Sequence, residues 1–279
     1  MSPLPPGIEL VAVRTPTLPP ATHTNCWIVG QGDLVVVDPA SPWEDEQGRL
    51  FTAVLDRVER GERVASLLLT HHHADHVSGA IDLQRRLNLA GHRVPIAAHP
   101  VTAALLEGHI QVEMPVAHGD AVTAGGRRLR AIFTPGHAPG HLALHDRDSG
   151  AMIAGDMVAG VGTIAIDPDE GDLQDYLDSL QRLIDLQPST LLPAHGPALP
   201  HAHAVLSFYI AHRHSRTEQV RTALDHAGRA TALALAPTVY PELATALYPL
   251  AARQITTHLN WLQANGRVRA HADGRWTLE

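Results

Sequence analysis

Four apolar, strand-like runs in this 279-residue chain each lead into a residue that can bind a metal ion. The run VASLLLT precedes HHHADH at residues 71–76, and the runs RAIFTP, AMIAG and STLLPA precede His137, Asp156 and His195. Histidines placed at random would not select strand ends, whereas binding residues commonly lie on loops carried by a rigid sheet. The pattern therefore predicts a metal site at the edge of a sheet.

The spacing within HHHADH predicts two neighbouring groups of ligands. Side chains alternate in direction along an extended segment, so His71 and His73 point the same way and can reach one ion. Asp75 and His76 lie where the chain turns into the next helix, so they face a neighbouring point and can hold a second ion. His72, the odd member of the alternation, is expected to point away.

With His137, Asp156 and His195, these positions provide five histidines and two carboxylates. That donor set suits two zinc ions that share a bridging aspartate, and iron or manganese could occupy the same ligands. Two ions about 3.5 to 4 Å apart can hold a hydroxide at neutral pH, because bound water is acidified to a pKa near 7. The sequence thus predicts a binuclear metal-dependent hydrolase with that hydroxide as nucleophile.

The composition excludes several other kinds of chemistry. The chain has no lysine, so it can form neither a Schiff base nor a GK[ST] phosphate-binding loop. Its single cysteine, Cys26, excludes an internal disulfide and a multi-cysteine zinc site. The sequence shows neither the pattern of a signal peptide nor an apolar run of about 18 residues. We therefore expect a cytoplasmic protein with no membrane contact.

Hydrophobic periodicity and turn residues divide the chain into two parts. Residues 1–201 read as short strands mixed with amphipathic helices, which predicts an α/β layered hydrolase domain. Residues 202–279 read as helices followed by a β-hairpin, the order of a small winged-helix-like domain. The first part carries 13 arginines against 24 acidic residues, and the second carries eight against five. A weakly basic second part therefore follows an acidic first part.

The order of the candidate ligands resembles that of the metallo-β-lactamase superfamily. Its mark is an HxHxDH motif, here HHHADH, followed by His in TPGHAPGH, Asp in AGD and His in PAHG. The resemblance covers about residues 8–200 and implies a four-layer αββα sandwich. It also implies two metal sites with three ligands each and one bridge: His71, His73 and His137 for the first ion, Asp75, His76 and His195 for the second, and Asp156 for the bridge.

The resemblance implies further roles near the metals. Asp75 is expected to be catalytic, orienting the hydroxide or accepting its proton while it remains a ligand. Asp38, in LVVVDPA, is expected to orient a ligand from outside. His141, in TPGHAPGH, is expected to stabilise the loop or face the substrate.

The segment after His195 resembles a subfamily that joins this fold to a winged helix and includes the lactamase-beta-like endoribonuclease of mitochondria. SFYIAHRHSRTEQV is similar to that subfamily's YIxHRxxRExQ segment. The matching positions are Tyr209, Ile210, His212, Arg213, Arg216 and Gln219. GTIAIDPDEGDLQDYLDSL likewise resembles the loop and helix that lead from the bridging aspartate to the rim of the active site.

Three functions remain open at this point. A phosphodiesterase acting on single-stranded RNA could use the basic second part for phosphate contacts, but the body is acidic and aromatic residues for stacking are few. A hydrolase of thioesters or other small acyl compounds, in the manner of glyoxalase II, would use the second part as a pocket wall. A DNA-binding regulator is disfavoured, because PLAARQITTHLNWL carries a single arginine, Arg253. Exposed helices of the second part could also pair in a homodimer.

Overall fold

The structure, a computed structural model, describes residues 4–279, which form two six-stranded sheets, a small hairpin and eight α-helices. The strands are β1 (Ile8–Arg14), β2 (His23–Val29), β3 (Asp33–Val37), β4 (Arg63–Leu69), β5 (Ile96–Ala98), β6 (Met114–Pro115), β7 (Ala121–Ala124), β8 (Arg127–Phe133), β9 (Leu142–Asp146), β10 (Ala151–Gly155), β11 (Thr190–Pro193), β12 (Leu199–Pro200), β13 (Val268–Ala270) and β14 (Trp276–Leu278). The helices are α1 (Glu44–Glu59), α2 (Ala74–Val77), α3 (Ala80–Leu89), α4 (Pro100–Leu105), α5 (Leu173–Asp185), α6 (Ala202–Ala227), α7 (Ala232–Val239) and α8 (Tyr248–Ala264).

The two large sheets each combine antiparallel and parallel strands. The first has the order β1-β2-β3-β4-β5-β6, antiparallel up to β3 and parallel from β3 to β6. The second has the order β12-β11-β10-β9-β8-β7, in which β10 and β11 are the parallel pair. Parallel pairs are normally buried on both faces, so continuous apolar runs such as LVVV are expected there.

The alternation of side chains along the strands builds the layers. In β3, Val35 and Val37 pack between the two sheets, whereas Leu34 and Val36 pack on the outer face of the first sheet. That outer face is covered by α1 and α3, and the outer face of the second sheet by α5 and the first half of α6. Because each sheet buries both faces, the result is the predicted four-layer αββα arrangement.

The C-terminal part has a core of its own. Helices α6, α7 and α8 enclose Leu224, Leu235, Ile255 and Leu259, and the β13–β14 hairpin adds Trp276 to this cluster. Three helices followed by a hairpin is the order predicted from the sequence.

One helix contributes to both cores. Near its beginning, α6 places Leu206 and Tyr209 against Tyr176 of α5, and near its end it places Val220 in the C-terminal cluster. The division between residues 1–201 and 202–279 stays a prediction. Within residues 4–279, the structure contains no helix that combines the length and apolar character of a membrane span.

A buried histidine joins two helices of the C-terminal part. His258 of α8 is almost fully buried, and its Nδ1 lies 2.8 Å from Oγ1 of Thr217 on α6. The threonine hydroxyl itself donates to the backbone oxygen of Arg213, so the imidazole is the donor to Thr217. Burial, together with the charges of Arg213 and Arg216, lowers the pKa of His258 to about 3. The helix pair therefore holds a neutral imidazole.

We expect His258 to make the protein sensitive to acid. Below about pH 6.5 the unfolded chain binds a proton that the folded chain excludes, so the free energy of unfolding falls by up to about 1.4 kcal/mol per pH unit from this group. In His258→Asn, whose amide can still donate to Thr217, that part of the slope should vanish. Urea unfolding between about pH 7 and about pH 4.5 measures it.

The matched control is His214→Asn, which replaces an exposed histidine on α6. Its unfolding free energy should follow the same pH dependence as the unaltered protein. Equal slopes for His258→Asn and the unaltered protein would contradict the assignment.

Candidate metal centre

The predicted ligands meet because four strand ends lie at one edge of the molecule. Strands β8 and β10 run in the same direction, since each is antiparallel to β9, and β11 is parallel to β10. Their carboxyl ends, which lead to His137, Asp156 and His195, therefore share one edge of the second sheet. Strand β4 brings residues 71–76 to this edge from the first sheet.

Direct hydrogen bonds join the two sheets beside these strand ends. Thr70, which follows β4, accepts a bond from the backbone N–H of Leu142 at 2.9 Å. On the other side, the Asn25 backbone N–H donates to Ala194 O at 2.7 Å, and its side chain donates to the carbonyls of Pro193 and Gly196. The segment that carries His195 is thereby fixed against β2.

The first group consists of three imidazoles with converging nitrogens. His71 Nε2 lies 2.9 Å from His73 Nδ1, and His137 Nε2 lies 3.3 Å and 3.0 Å from these two atoms. Burial is the main cause that lowers the pKa of His71 well below its ordinary value and that of His137 to about 4. Three imidazole nitrogens therefore converge on one point, as expected for metal ligands.

The second group lies beside the first. Asp75 Oδ2 is 3.5 Å from His195 Nε2, and Asp75 Oδ1 is 3.9 Å from His76 Nε2. Burial lowers the pKa of His76, but Asp156, Asp38 and Asp75 together raise it well above its ordinary value. His76 is thus surrounded by three carboxylates.

Asp156 lies between the two groups. Its Oδ2 is 3.5 Å from His137 Nε2, and its Oδ1 is 3.5 Å from His76 Nε2 and 3.4 Å from His195 Nε2. Burial raises the pKa of Asp156, but His76 and His195 bring it well below its ordinary value. One carboxylate oxygen faces each group, which is the geometry that a bridging ligand requires.

Every histidine of the two groups uses its outer ring nitrogen for a hydrogen bond to oxygen. The donor and acceptor pairs are His71 Nδ1 with Thr70 Oγ1 (3.0 Å), His73 Nε2 with Glu170 Oε1 (2.6 Å), His76 Nδ1 with Asp38 Oδ2 (2.9 Å), His137 Nδ1 with Ala165 O (2.7 Å) and His195 Nδ1 with His23 O (2.9 Å). These bonds fix the ring orientations, so that the inner nitrogens face the centre.

A second observation also indicates that these side chains fit divalent cations. His76 Nε2 and Asp156 Oδ1 are buried and have no hydrogen-bond partner among the described residues. Buried polar atoms are nearly always satisfied, and both atoms face the other candidate ligands. The seven predicted ligands are all brought together. Three groupings among them could hold an ion, which are His71 with His73 and His137, His71 with His76 and Asp156, and Asp75 with His76 and His195, and a fourth joins His73 to His72 and Glu170.

Two further residues, Asp38 and His141, hold candidate ligands in position by hydrogen bonds. Asp38 is buried and accepts bonds from both the backbone N–H and the hydroxyl of Thr70, in addition to His76. His141 is also buried, and its Nε2 accepts the backbone N–H of Asp156 while its Nδ1 bonds Thr134. Gly155 allows this close approach, because a Cβ there would lie 2.4 Å from His141 Nε2.

Glu170 was not predicted from the sequence. Its carboxylate binds His73 and also His72, whose Nε2 lies 3.0 Å away, so His72 does point away from the two ligand groups. The only sequence signal was the acidic run DPDEGD, which does not show which of its four carboxylates faces a histidine. The backbone acceptors Ala165 and His23 gave no signal, because any residue type supplies a carbonyl.

A cavity of about 260 Å³ opens onto the centre. His73, Asp75, His137, Asp156 and His195 form its floor. Its walls consist of residues 17–21 and of residues between 159 and 170. The cavity thus gives solvent access to the candidate ligands.

Comparison with protein families agrees with this arrangement. Residues 19–195 match the model of the metallo-beta-lactamase superfamily, and residues 231–276 match that of the beta-lactamase associated winged helix domain. The beta-lactamase-like protein 2 homolog of Drosophila melanogaster is 27% identical, with 88% of this chain and 84% of that protein covered. The atrochrysone carboxyl ACP thioesterase of Passalora fulva is 30% identical, with 72% and 56% covered.

Solved structures show the same fold. A metallo-beta-lactamase family protein from Thermus thermophilus is 25% identical and superimposes with a TM-score of 0.77 over 98% of this chain and 99% of that chain. A protein solved in a di-iron-bound form is 26% identical, with a TM-score of 0.54 over 68% and 96%. Since the family match covers more than half of its length, the chain belongs to the metallo-β-lactamase superfamily of hydrolases and carries a C-terminal winged-helix domain.

Proposed function

We propose that the chain is a binuclear zinc hydrolase of esters or thioesters with small apolar acyl groups. The observation that carries this proposal is the lining of the cavity over the metal centre. At about 260 Å³ it lies just below the range of roughly 300 to 1,000 Å³ that is common for small-molecule sites. Its walls include Leu18, Val161 and Ile164, which offer apolar surface to an acyl chain.

The charge of the cavity argues against a polyanionic substrate. None of the described residues that line it is an arginine, and none is a phenylalanine, tyrosine or tryptophan. Four carboxylates lie there, from Asp75, Asp156, Asp167 and Glu170. Single-stranded RNA needs cations along its backbone and aromatic surfaces for its bases, so this lining favours the acyl substrate over RNA.

The ligand roles follow the geometry of the two groups. We assign His71, His73 and His137 to the first ion, Asp75, His76 and His195 to the second, and Asp156 to both. When bound, the ions supply Lewis acidity at the substrate oxygen and acidify water to a pKa of about 7. Asp75 is one-fifth exposed and faces the cavity, so it can accept a proton from the attacking water.

The named relatives are compatible with this assignment. The Passalora fulva protein is a thioesterase by name, and the di-iron-bound neighbour shows that iron can occupy a centre on this fold. Iron or manganese could therefore replace zinc in the same ligands. A cytoplasmic location and a homodimer formed by the C-terminal helices stay predictions.

The substrate class can be tested directly. Zinc-loaded protein should hydrolyse a glutathione thioester or a small ester or lactone, and it should leave a short single-stranded RNA intact. Chelation should abolish the activity, and added Zn²⁺ should restore it. Cleavage of the RNA without hydrolysis of any acyl compound would overturn the proposal and favour the nuclease.

Asp75→Asn should retain the fold but lose turnover. Loss of a general base typically lowers kcat by about 10²- to 10⁴-fold, and the amide keeps one oxygen that can face the second ion. We expect a kcat loss in this range with an unchanged melting temperature of the metal-free protein. Asp178→Asn, on the exposed face of α5, is the matched control and should behave like the unaltered protein. Near-normal turnover of Asp75→Asn would refute the assigned role.

Asp38→Asn should weaken binding of the second ion. Asp38 has a positive φ of 50°, which asparagine also tolerates, but the amide cannot accept from Thr70 and His76 as a carboxylate does. Removal of such an outer partner typically lowers metal affinity by about 10- to 100-fold. Competition with a chromophoric chelator measures this affinity. Asp33→Asn, at the partly exposed start of β3, whose end Asp38 follows, should bind zinc normally, and equal affinities for the two variants would contradict the role of Asp38.

A further inference from the structure

We propose that the C-terminal winged-helix domain positions His73 and His137 of the metal centre through the loop of residues 157–171, called here the rim loop. This inference rests on the proposed function, because it takes these two histidines as ligands of the first ion. Gln254 and Thr257 of α8 are its positioning residues. They contact neither substrate nor ligand, and they act on the centre only through the rim loop.

The rim loop makes two contacts with the first ligand group. The backbone oxygen of Ala165 accepts the Nδ1–H of His137 at 2.7 Å, and the carboxylate of Glu170 accepts the Nε2–H of His73 at 2.6 Å. Both contacts are made to outer ring nitrogens. The position of the rim loop therefore sets how two of the three inner nitrogens of this group are directed.

The rim loop has no regular structure that would fix its position. It joins β10 to α5 without a helix or strand, and Gly160, Gly162 and Gly171 add backbone freedom. The loop bonds its own backbone in the turn at Asp167, whose oxygen accepts from the N–H groups of Glu170 and Gly171. Its other backbone polar groups need partners outside this turn.

Helix α8 supplies partners at the centre of the loop. The Ile166 backbone N–H donates to Gln254 Oε1 at 3.1 Å, and Ile166 O accepts bonds from Thr257 Oγ1 at 2.7 Å and Gln254 Nε2 at 3.3 Å. Ile166 is adjacent to Ala165, whose oxygen binds His137. A displacement of Ile166 would therefore shift the acceptor of His137 directly.

Helix α6 and Arg253 contact further parts of the loop. Arg213 donates to the backbone oxygen of Ile164, and the Tyr209 hydroxyl lies 2.9 Å from the backbone nitrogen of Ala159 and 3.1 Å from its oxygen. Arg253 of α8 pairs with Asp167 and, at 2.7 Å, with Asp169. Contacts from α6 and α8 thus extend from residue 159 to residue 169, next to Glu170.

This use of α8 also bears on DNA binding. α8 occupies the position of the recognition helix, directly before the hairpin, and Arg253 is its only arginine. Because that arginine pairs with two carboxylates of the rim loop, its charge is not free for a phosphate or a base. Three polar side chains of α8 therefore contact the rim loop, namely Arg253, Gln254 and Thr257.

The test compares two adjacent threonines of α8 in the full-length protein. Thr257→Val removes the bond to Ile166, whereas Thr256→Val removes only a bond to Ala252 of the same helix. Zn²⁺ affinity is measured by competition with a chromophoric chelator, and the coordination of the first ion by the visible spectrum of the Co²⁺-substituted protein. Gln254→Leu independently removes the other side chain that bonds Ile166, and Thr257→Ser keeps the hydroxyl.

We expect one of the two zinc ions to bind on the order of tenfold more weakly in Thr257→Val and Gln254→Leu, with an altered Co²⁺ spectrum. The other ion should bind as before, and Thr256→Val and Thr257→Ser should match the unaltered protein.

Unchanged affinity and spectrum in both Thr257→Val and Gln254→Leu would overturn the inference, as would an equal weakening of both ions. An unaltered protein that binds two ions but hydrolyses no acyl compound would refute only the proposed substrate, because the metal measurements would still decide the role of α8. An unaltered protein that binds no metal would overturn both proposals.

Discussion

The candidate centre depends on one constraint, which is that an imidazole has only two nitrogens. Each of the five histidines uses its outer nitrogen for a hydrogen bond to an oxygen of the protein, so only the inner nitrogen is available to a cation. The five oxygens come from a hydroxyl, two carboxylates and two backbone carbonyls. These acceptors belong to the first sheet and to the rim loop, whereas His137 and His195 follow strands of the second sheet. The direction of the lone pairs therefore depends on how the whole sandwich is assembled.

Much of the fold and the membership of the centre could be predicted from the sequence. Period-two burial is explicit in LVVV, where neighbouring valines face different layers, and residues that follow such strands must lie at the sheet edge. The same rule separated His71 and His73 from His72. The α/β layering and the helix-hairpin order of the C-terminal part were confirmed because each follows from local periodicity, whereas the four-layer arrangement followed from the family resemblance.

The partners of the ligands were harder to predict, because they depend on contacts between distant segments. Glu170 reaches back 97 positions to His73, and His195 donates to the carbonyl of His23, 172 positions away. A loop has no repeating pattern that would show which side chain points inward. The role of α8 was hidden for the same reason, since Gln254 and Thr257 are ordinary residues on an amphipathic helix until the rim loop is placed against them.

Helix α6 has a consequence for how this protein can change over evolutionary time. Its 26 residues begin in the core of the hydrolase sandwich and end in the core of the winged helix. A recombination event before α6 would remove the cover from the apolar face of α5 around Tyr176, whereas one after α6 would leave the winged helix without its first helix. Separation of the two parts therefore exposes apolar surface on one side of the break or the other.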